Sequence, residues 1–330
     1  MCGIILRMPV RLQLDQVKDA VDVIDAVFLD TPALPCAPLG DVLGCSVTLK
    51  LETLNPVRSF KGRGTETVTA LARREGASRV VCASAGNLGQ ALAYSGARRG
   101  LDVTVVAATS ANPLKLRQIA AFGAGIRLEG EDIEDARVLA REIAEDGAYL
   151  VEDSLELATC EGAATIGLEL VRDDPELDVV LVALGGGAMA SGVAYVMRSL
   201  ADHAEVIGIQ PVGAPAMALS WRQGTVVETD RIDTIADGVA GRIPIPEVLD
   251  DLLLVLDDVA LVREDSIKAG MRALYEHAGL VVEPSAALGI AAVLEQPERF
   301  AGRRVTTIVC GSNVGPADFA RWVLEPAARG

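Results

Sequence analysis

Histidine is nearly missing from this chain: only His203 and His277 occur among 330 residues. Neither stands near a cysteine at metal-ligand spacing. The six cysteines (Cys2, Cys36, Cys45, Cys82, Cys160 and Cys310) make no CxxC pair. That argues against a zinc site and against a His-based catalytic triad. Reduced thiols in a cytoplasmic setting are the expectation. Basic charge is also short, and the formal net charge is −16. Nucleic-acid binding needs clustered Lys and Arg, so neither a nucleic acid nor an anionic membrane surface is an expected partner. A charged surface that keeps the chain in solution is the plainer reading. No apolar run is long enough to span a bilayer. Met1 to Pro9 is apolar but short, and Arg7 and Arg11 interrupt it, so no signal peptide is expected. Aromatics are scarce, at 3%, which favours helices laid on sheets through small side chains.

What is present is half hydrophobic, with 23% charged residues, as in an ordinary globular protein. The length allows a large core and more than one lobe. Short β-rich runs alternate with helical patterns. Strands are expected at Val80 to Ala83, Val103 to Ala107, Ile126 to Leu128, Val179 to Ala183, Val206 to Gln210 and Val305 to Cys310. Helices are expected near Gly89 to Arg99, Pro113 to Phe122, Glu131 to Glu145 and Ala188 to Leu200. Continuous apolar strands separated by helices imply an α/β fold with parallel sheets covered on both faces. Irregular stretches near Gly213 to Pro215 and Gly238 to Pro246 are candidates to border a site.

Three stretches carry chemistry. In Ser59-Phe60-Lys61-Gly62, one lysine lies between an aromatic ring and a glycine, after a turn and before a helix. A lysine that bonds a carbonyl cofactor suits such neighbours; a solvated loop lysine is the plain alternative. Gly185-Gly186-Gly187-Ala188 follows a strand and opens a helix, so free backbone N–H groups and the helix N-terminus can hold an anion. A tight turn, or a nucleotide loop, is the alternative, although the spacing is not GxGxxG. Ser84-Ala85-Gly86-Asn87 follows another strand and can present donors to a carboxylate or a phenolic oxygen, or be merely an Asn-Gly-type turn. Cys310-Gly311-Ser312-Asn313 ends the last strand.

These stretches occur in order with Thr165 to Glu169, Thr234 to Gly238 and Val282 to Ala286. Together they resemble the fold-type II pyridoxal-phosphate enzymes of the serine/threonine dehydratase and serine racemase family. The likeness runs from about Thr31 to Gly315. It implies a two-lobed architecture like that of the tryptophan synthase β chain. Residues 1–77 and 151–330 would form a large cofactor-binding domain, and 78–150 a small inserted one. The resemblance also implies pyridoxal 5'-phosphate held covalently by Lys61, with Phe60 beside the ring and Asn87 on its phenolic oxygen. Gly185, Gly186, Gly187 and Ala188 would cradle the phosphate, and Cys310 would face the ring nitrogen. Ser84, Ala85, Gly86 and Leu88 would meet the substrate. Lys61 would then act as base at Cα.

A neutral Cys310 is a weak donor, so loss of a β-hydroxyl should compete well with other fates of the carbanion. The expected reaction turns a β-hydroxy amino acid, through aminoacrylate, into a 2-oxo acid and ammonia. Alternatives on the same fold are a β-replacement synthase, a racemase, and an inactive cofactor-binding paralogue. Ala85 stands where racemases of the family carry a second serine, which favours elimination. Leu88 replaces the histidine usual after Gly-Asn, and Ala163 and Ala164 replace Gln-Gly; the expected consequence is a larger or less polar substrate than serine. Gln210 and Ala216 stand where metal-activated relatives carry carboxylates, so no metal is expected. The chain runs only a little past Gly315, so no feedback domain is expected. A homodimer is implied by the resemblance alone.

Overall fold

The computed structural model describes residues 9–131 and 133–325. The expectation of no signal peptide falls almost wholly on residues outside that range. The described residues form ten strands: β1 (Ala33–Pro35), β2 (Ser46–Leu51), β3 (Arg79–Ala83), β4 (Asp102–Ala107), β5 (Gly125–Leu128), β6 (Tyr149–Leu150), β7 (Val179–Ala183), β8 (Glu205–Pro211), β9 (Asp258–Val262) and β10 (Arg304–Val309). They form a six-stranded sheet of order β1-β2-β10-β7-β8-β9 and a four-stranded sheet of order β5-β4-β3-β6. Among the described residues only β1 and β2 pair antiparallel; the other pairings are parallel. Central strands such as Val179-Val180-Leu181-Val182 are buried throughout because helices cover both faces.

The strands and helices expected from apolar runs lie within a residue or two of their places. Four short or polar strands escaped the pattern. One is β2, Ser-Val-Thr-Leu-Lys-Leu, whose Lys50 is wholly buried. A lysine there contradicts an apolar strand until its partners are seen. Lys50 Nζ donates to Glu169 Oε2 at 2.6 Å and to the Thr31 carbonyl at 2.7 Å.

Small residues set how closely the helices approach. A Cβ on Gly64 would lie 2.6 Å from the Thr159 carbonyl oxygen, and one on Gly192 would lie 2.6 Å from that of Cys160. The Lys61–Arg74, Leu157–Asp173 and Ala188–Leu200 helices therefore meet backbone to backbone. Dispersion contacts between main chains replace large side chains there, which accounts for the scarcity of aromatics. The larger core surrounds Val180, Leu181, Ile207 and Ile308. A second core joins Val80, Val103 and Val105 to Val68 and Ala72 of the Lys61–Arg74 helix. That helix thus packs on the second core and carries Lys61 at its start.

Candidate active site

Loops at the C-terminal ends of β3, β7 and β10 converge on one cleft, where open parallel sheets place their ligand sites. Its lining includes Phe60, Lys61, Ser84 to Leu88, Gly185 to Met189 and Cys310. Every site residue expected from the sequence is therefore brought to one place. The irregular stretch from Asp237 to Ala240 forms part of the rim. An ion pair between Lys115 and Asp237 ties it to the Pro113–Ala121 helix.

The segment before Lys61 is fixed to the end of β10. The Phe60 N–H donates to the Cys310 carbonyl at 3.0 Å, and Ser59 forms a bridge with Gly311. Lys61 opens its helix with its Nζ 4.8 Å from the centre of the Phe60 ring. Two residues on, Arg63 is fully buried and forks between two carboxylates. Its Nε and Nη2 donate to Glu52 at 2.9 and 2.8 Å, and its Nη1 and Nη2 donate to Glu169 at 2.7 and 2.9 Å. Burial opposes the charge on Glu169. Hydrogen bonds and charge from Arg63 and then Lys50 win, holding its carboxyl at about 2.

Gly187, with φ of +109°, turns the chain from β7 into its helix. A Cβ on Gly187 would run into Val248, one on Gly186 would lie 2.8 Å from Ser154 Oγ, and one on Gly185 would lie 3.0 Å from Val239 Cα. Side chains are thus excluded from all three positions, leaving a cradle of amides at the N-terminus of a helix of 13 residues. Such a cradle suits a phosphate group. Gly187→Ala is expected to weaken binding of pyridoxal phosphate by about tenfold or more, because strain of order 1–3 kcal/mol falls on the loop. Fluorescence titration of the cofactor-free protein checks this, with melting temperature as the control for folding.

Asn87 begins the helix after β3. Its Nδ2 donates to Glu283 Oε1 at 2.8 Å, and its Oδ1 accepts from Asn313 Nδ2 at 2.8 Å. Glu283 also accepts the Asn313 N–H at 3.1 Å. Burial, and then the charge of Asp237, push the Glu283 carboxyl up to about 7. Glu283 was legible only as part of Val282-Glu283-Pro284; its role in orienting Asn87 across 196 residues was not. Burial and then the Glu283 charge push the Cys310 thiol well above its usual value, so it sits in the cleft as a neutral group.

Ser84 Oγ accepts the Gly86 N–H at 3.2 Å, shaping the turn before Asn87. Leu88 is nearly buried and forms an apolar part of the cleft wall. Ala163 and Ala164 do not reach the cleft. Ala163 faces the larger core, and Ala164 packs with Val17 and Val196. Their direct bearing on substrate size, expected from the sequence, is corrected: neither lines the cleft, and both are buried in the core. Gln210 is also occupied elsewhere, its Oε1 accepting the Ala218 N–H at 2.9 Å. Among the described residues, no group of three or more His, Cys, Asp or Glu is placed to hold a metal. No helix is long and apolar enough to cross a membrane among those residues.

Asp153 was not anticipated. It lies in the loop after β6, 92 residues from Lys61, and its Oδ2 accepts from Lys61 Nζ in an ion pair. No motif marks Asp153; Val-Glu-Asp-Ser reads as an ordinary acidic turn.

Two mostly parallel sheets and a lysine facing a glycine cradle define an enzyme of the fold-type II pyridoxal-phosphate class. The donor set fits that cofactor: an amine for its aldehyde, amides for its phosphate, an amide side chain and a neutral thiol for its ring. The chain belongs to the pyridoxal-phosphate dependent enzyme family, which matches residues 24–311. It is 33% identical over 308 residues to a putative threonine dehydratase of Sinorhizobium fredii, covering 92% of this chain and 93% of that one. It is 32% identical to an L-threonine ammonia-lyase of Thermotoga maritima, over 92% of this chain and 76% of that one. The fold matches the processed form of threonine deaminase isoform 2 from Solanum lycopersicum with a TM-score of 0.87 and 28% identity, covering 97% and 96% of the two chains.

Proposed function

We propose that this protein is an ammonia-lyase that eliminates the β-hydroxyl of threonine, serine or a related amino acid, yielding a 2-oxo acid and ammonia. The observation that carries the reading is Lys61 in one cleft with the glycine cradle, the held amide of Asn87 and the neutral thiol of Cys310. Bound pyridoxal phosphate supplies an electron sink for negative charge at Cα. Lys61 would hold it through its aldehyde, and the free amine of Lys61 would be the base for the Cα proton. Backbone N–H groups of Gly185 to Ala188 would hold the phosphate, with Phe60 beside the ring. Glu283 and Asn313 fix Asn87, whose amide would be the partner of the phenolic oxygen. Cys310, kept neutral by burial, would offer the ring nitrogen only a weak partner, which would favour rapid loss of the β-group. The Ser84-Ala85-Gly86 turn would hold the substrate carboxylate. Ala85 offers no acid on the face opposite Lys61, which argues against racemisation, and Leu88 gives the β-substituent an apolar neighbour.

The relatives named threonine dehydratase, L-threonine ammonia-lyase and threonine deaminase support this reading. The division into residues 78–150 and the remainder, a homodimer and a cytoplasmic location belong to the same proposal. The test is a product screen in D₂O of L- and D-β-hydroxy amino acids with the cofactor-loaded protein. Ammonia and 2-oxo acid are the expected products. Cα deuteration or inversion without ammonia overturns the reading in favour of a racemase, or of a synthase awaiting its nucleophile.

A further inference from the structure

Loss of a hydroxyl from Cβ needs a proton on the departing oxygen, because hydroxide is a poor leaving group. The cleft offers few groups able to give one. Both oxygens of Glu283 are engaged, one by Asn87 and one by Asn313, in holding those residues in place. Arg137 stays protonated in any protein and cannot be the donor. Lys115 and Asp237 occupy each other at the rim, and Ser84 is an alcohol, too weak an acid for the task. Asp153 differs from all of these. Its Oδ2 is on Lys61, while its Oδ1 is buried with no hydrogen-bond partner. It also lines the main cleft beside Lys61, Leu88 and Ala188.

The Asp153 backbone is fixed from both sides. Before it, the Val151 N–H donates to the Val81 carbonyl at 2.8 Å. After it, Ser154 is buried with φ of +68°, and its Oγ accepts the Ala188 N–H at 3.1 Å. A non-glycine residue keeps that conformation only where its surroundings impose it, and such strain gathers at functional sites. The loop therefore aims Asp153 at Lys61 while Ser154 braces the first turn of the phosphate-loop helix.

We propose that Asp153 is a second catalytic residue, the acid that protonates the departing β-oxygen. The proposal rests on the elimination reading above. The Cα–H bond breaks and its proton goes to Lys61 Nζ. The resulting ammonium, in contact with Asp153, passes one proton to Oδ2. The carboxylic acid then gives a proton to the β-oxygen. The Cα–H electron pair becomes the Cα–Cβ double bond, and the Cβ–O pair leaves with the oxygen as water. Lys61 returns to a free amine and Asp153 to a carboxylate, with no further reactant needed.

A change of leaving group tests this. β-Chloro-L-alanine loses chloride, which needs no proton, whereas L-threonine and L-serine lose water. The cofactor-loaded Asp153→Asn variant is expected to lose about 100-fold or more in kcat on the better of the two hydroxy substrates. It should change little on β-chloro-L-alanine and still exchange the Cα hydrogen in D₂O. Asp153→Glu should recover part of the lost activity. Cofactor absorbance and fluorescence titration should match the wild type, which separates an acid from a residue that merely holds the fold or the cofactor. Equal losses on both leaving groups, or full activity on the hydroxy substrate, would overturn the role of Asp153 and leave the lyase standing. A wild-type protein that eliminates neither group overturns the elimination reading itself, and this proposal with it.

Discussion

Lys61→Ala should lose about 10⁴-fold in kcat on any substrate the wild type eliminates, since both the cofactor's anchor and the base beside the glycine cradle go with it. Borohydride reduction followed by intact mass measurement should find cofactor covalently attached to the wild type and none attached to the variant. The fold should survive. Lys61 lies at the first position of its helix, and the helix is anchored by Arg63 rather than by the lysine side chain. Asp153, left without its partner, is about a third exposed and can turn to water. Lys61→Arg separates charge from chemistry. It keeps a cation beside Asp153 but cannot form the bond to the aldehyde, and it should be as inactive as the alanine variant. Retention of measurable 2-oxo acid formation by either variant would refute the assignment of Lys61.

The second large effect is on stability. Arg63→Met should cost about 3–5 kcal/mol, because it leaves Glu52 and Glu169 buried without the fork that answers them. A urea titration followed by circular dichroism measures this. Arg63→Lys should restore little: one ammonium cannot reproduce bidentate bonds to two carboxylates. Acid stability carries the same information. Glu169 has a folded pKa near 2, below its unfolded value, so its pairing contributes stability above the ordinary carboxylate range. That stability is lost as pH falls toward 2. Without Arg63 the depression shrinks, and acid unfolding should begin at a higher pH than in the wild type. An Arg63→Met protein as stable as the wild type at neutral pH would show that the cluster is dispensable. Because Arg63 anchors the first turn of the helix that Lys61 opens, the variant should also bind cofactor more weakly even where it remains folded.

Much of the site was legible because each of its motifs is contiguous. Lys61 is flagged by its neighbours Phe60 and Gly62, Asn87 by the turn that precedes it, and the phosphate cradle by three glycines in a row. Such signals survive in a linear reading because backbone geometry at a strand-helix turn depends on the residues in that turn. Apolar runs located β7 and β10 for the same reason: burial on both faces demands an unbroken hydrophobic stretch. The pattern misled where polar residues are buried or where a helix face was unknown. Lys50 in β2 and Glu169 on the Leu157–Asp173 helix stand 119 residues apart, and each breaks the apolar pattern of its own element. Ala163 and Ala164 looked like substrate residues because of their place beside a matching stretch, yet their side of the helix faces the core.

By itself the sequence carried the parallel α/β architecture, through the period of burial, and the contiguous motifs around Lys61, Asn87 and the three glycines, whose roles toward the cofactor the family resemblance implies. Only the tertiary structure decided that Asp153 meets Lys61, that Glu283 orients Asn87, and that two buried carboxylates close on Arg63. Those contacts join residues from separate loops and helices. Whether a charge is solvated, paired or left with an unused oxygen depends on what the folded chain brings within a few ångströms of it, and spacing along the chain carries no record of that.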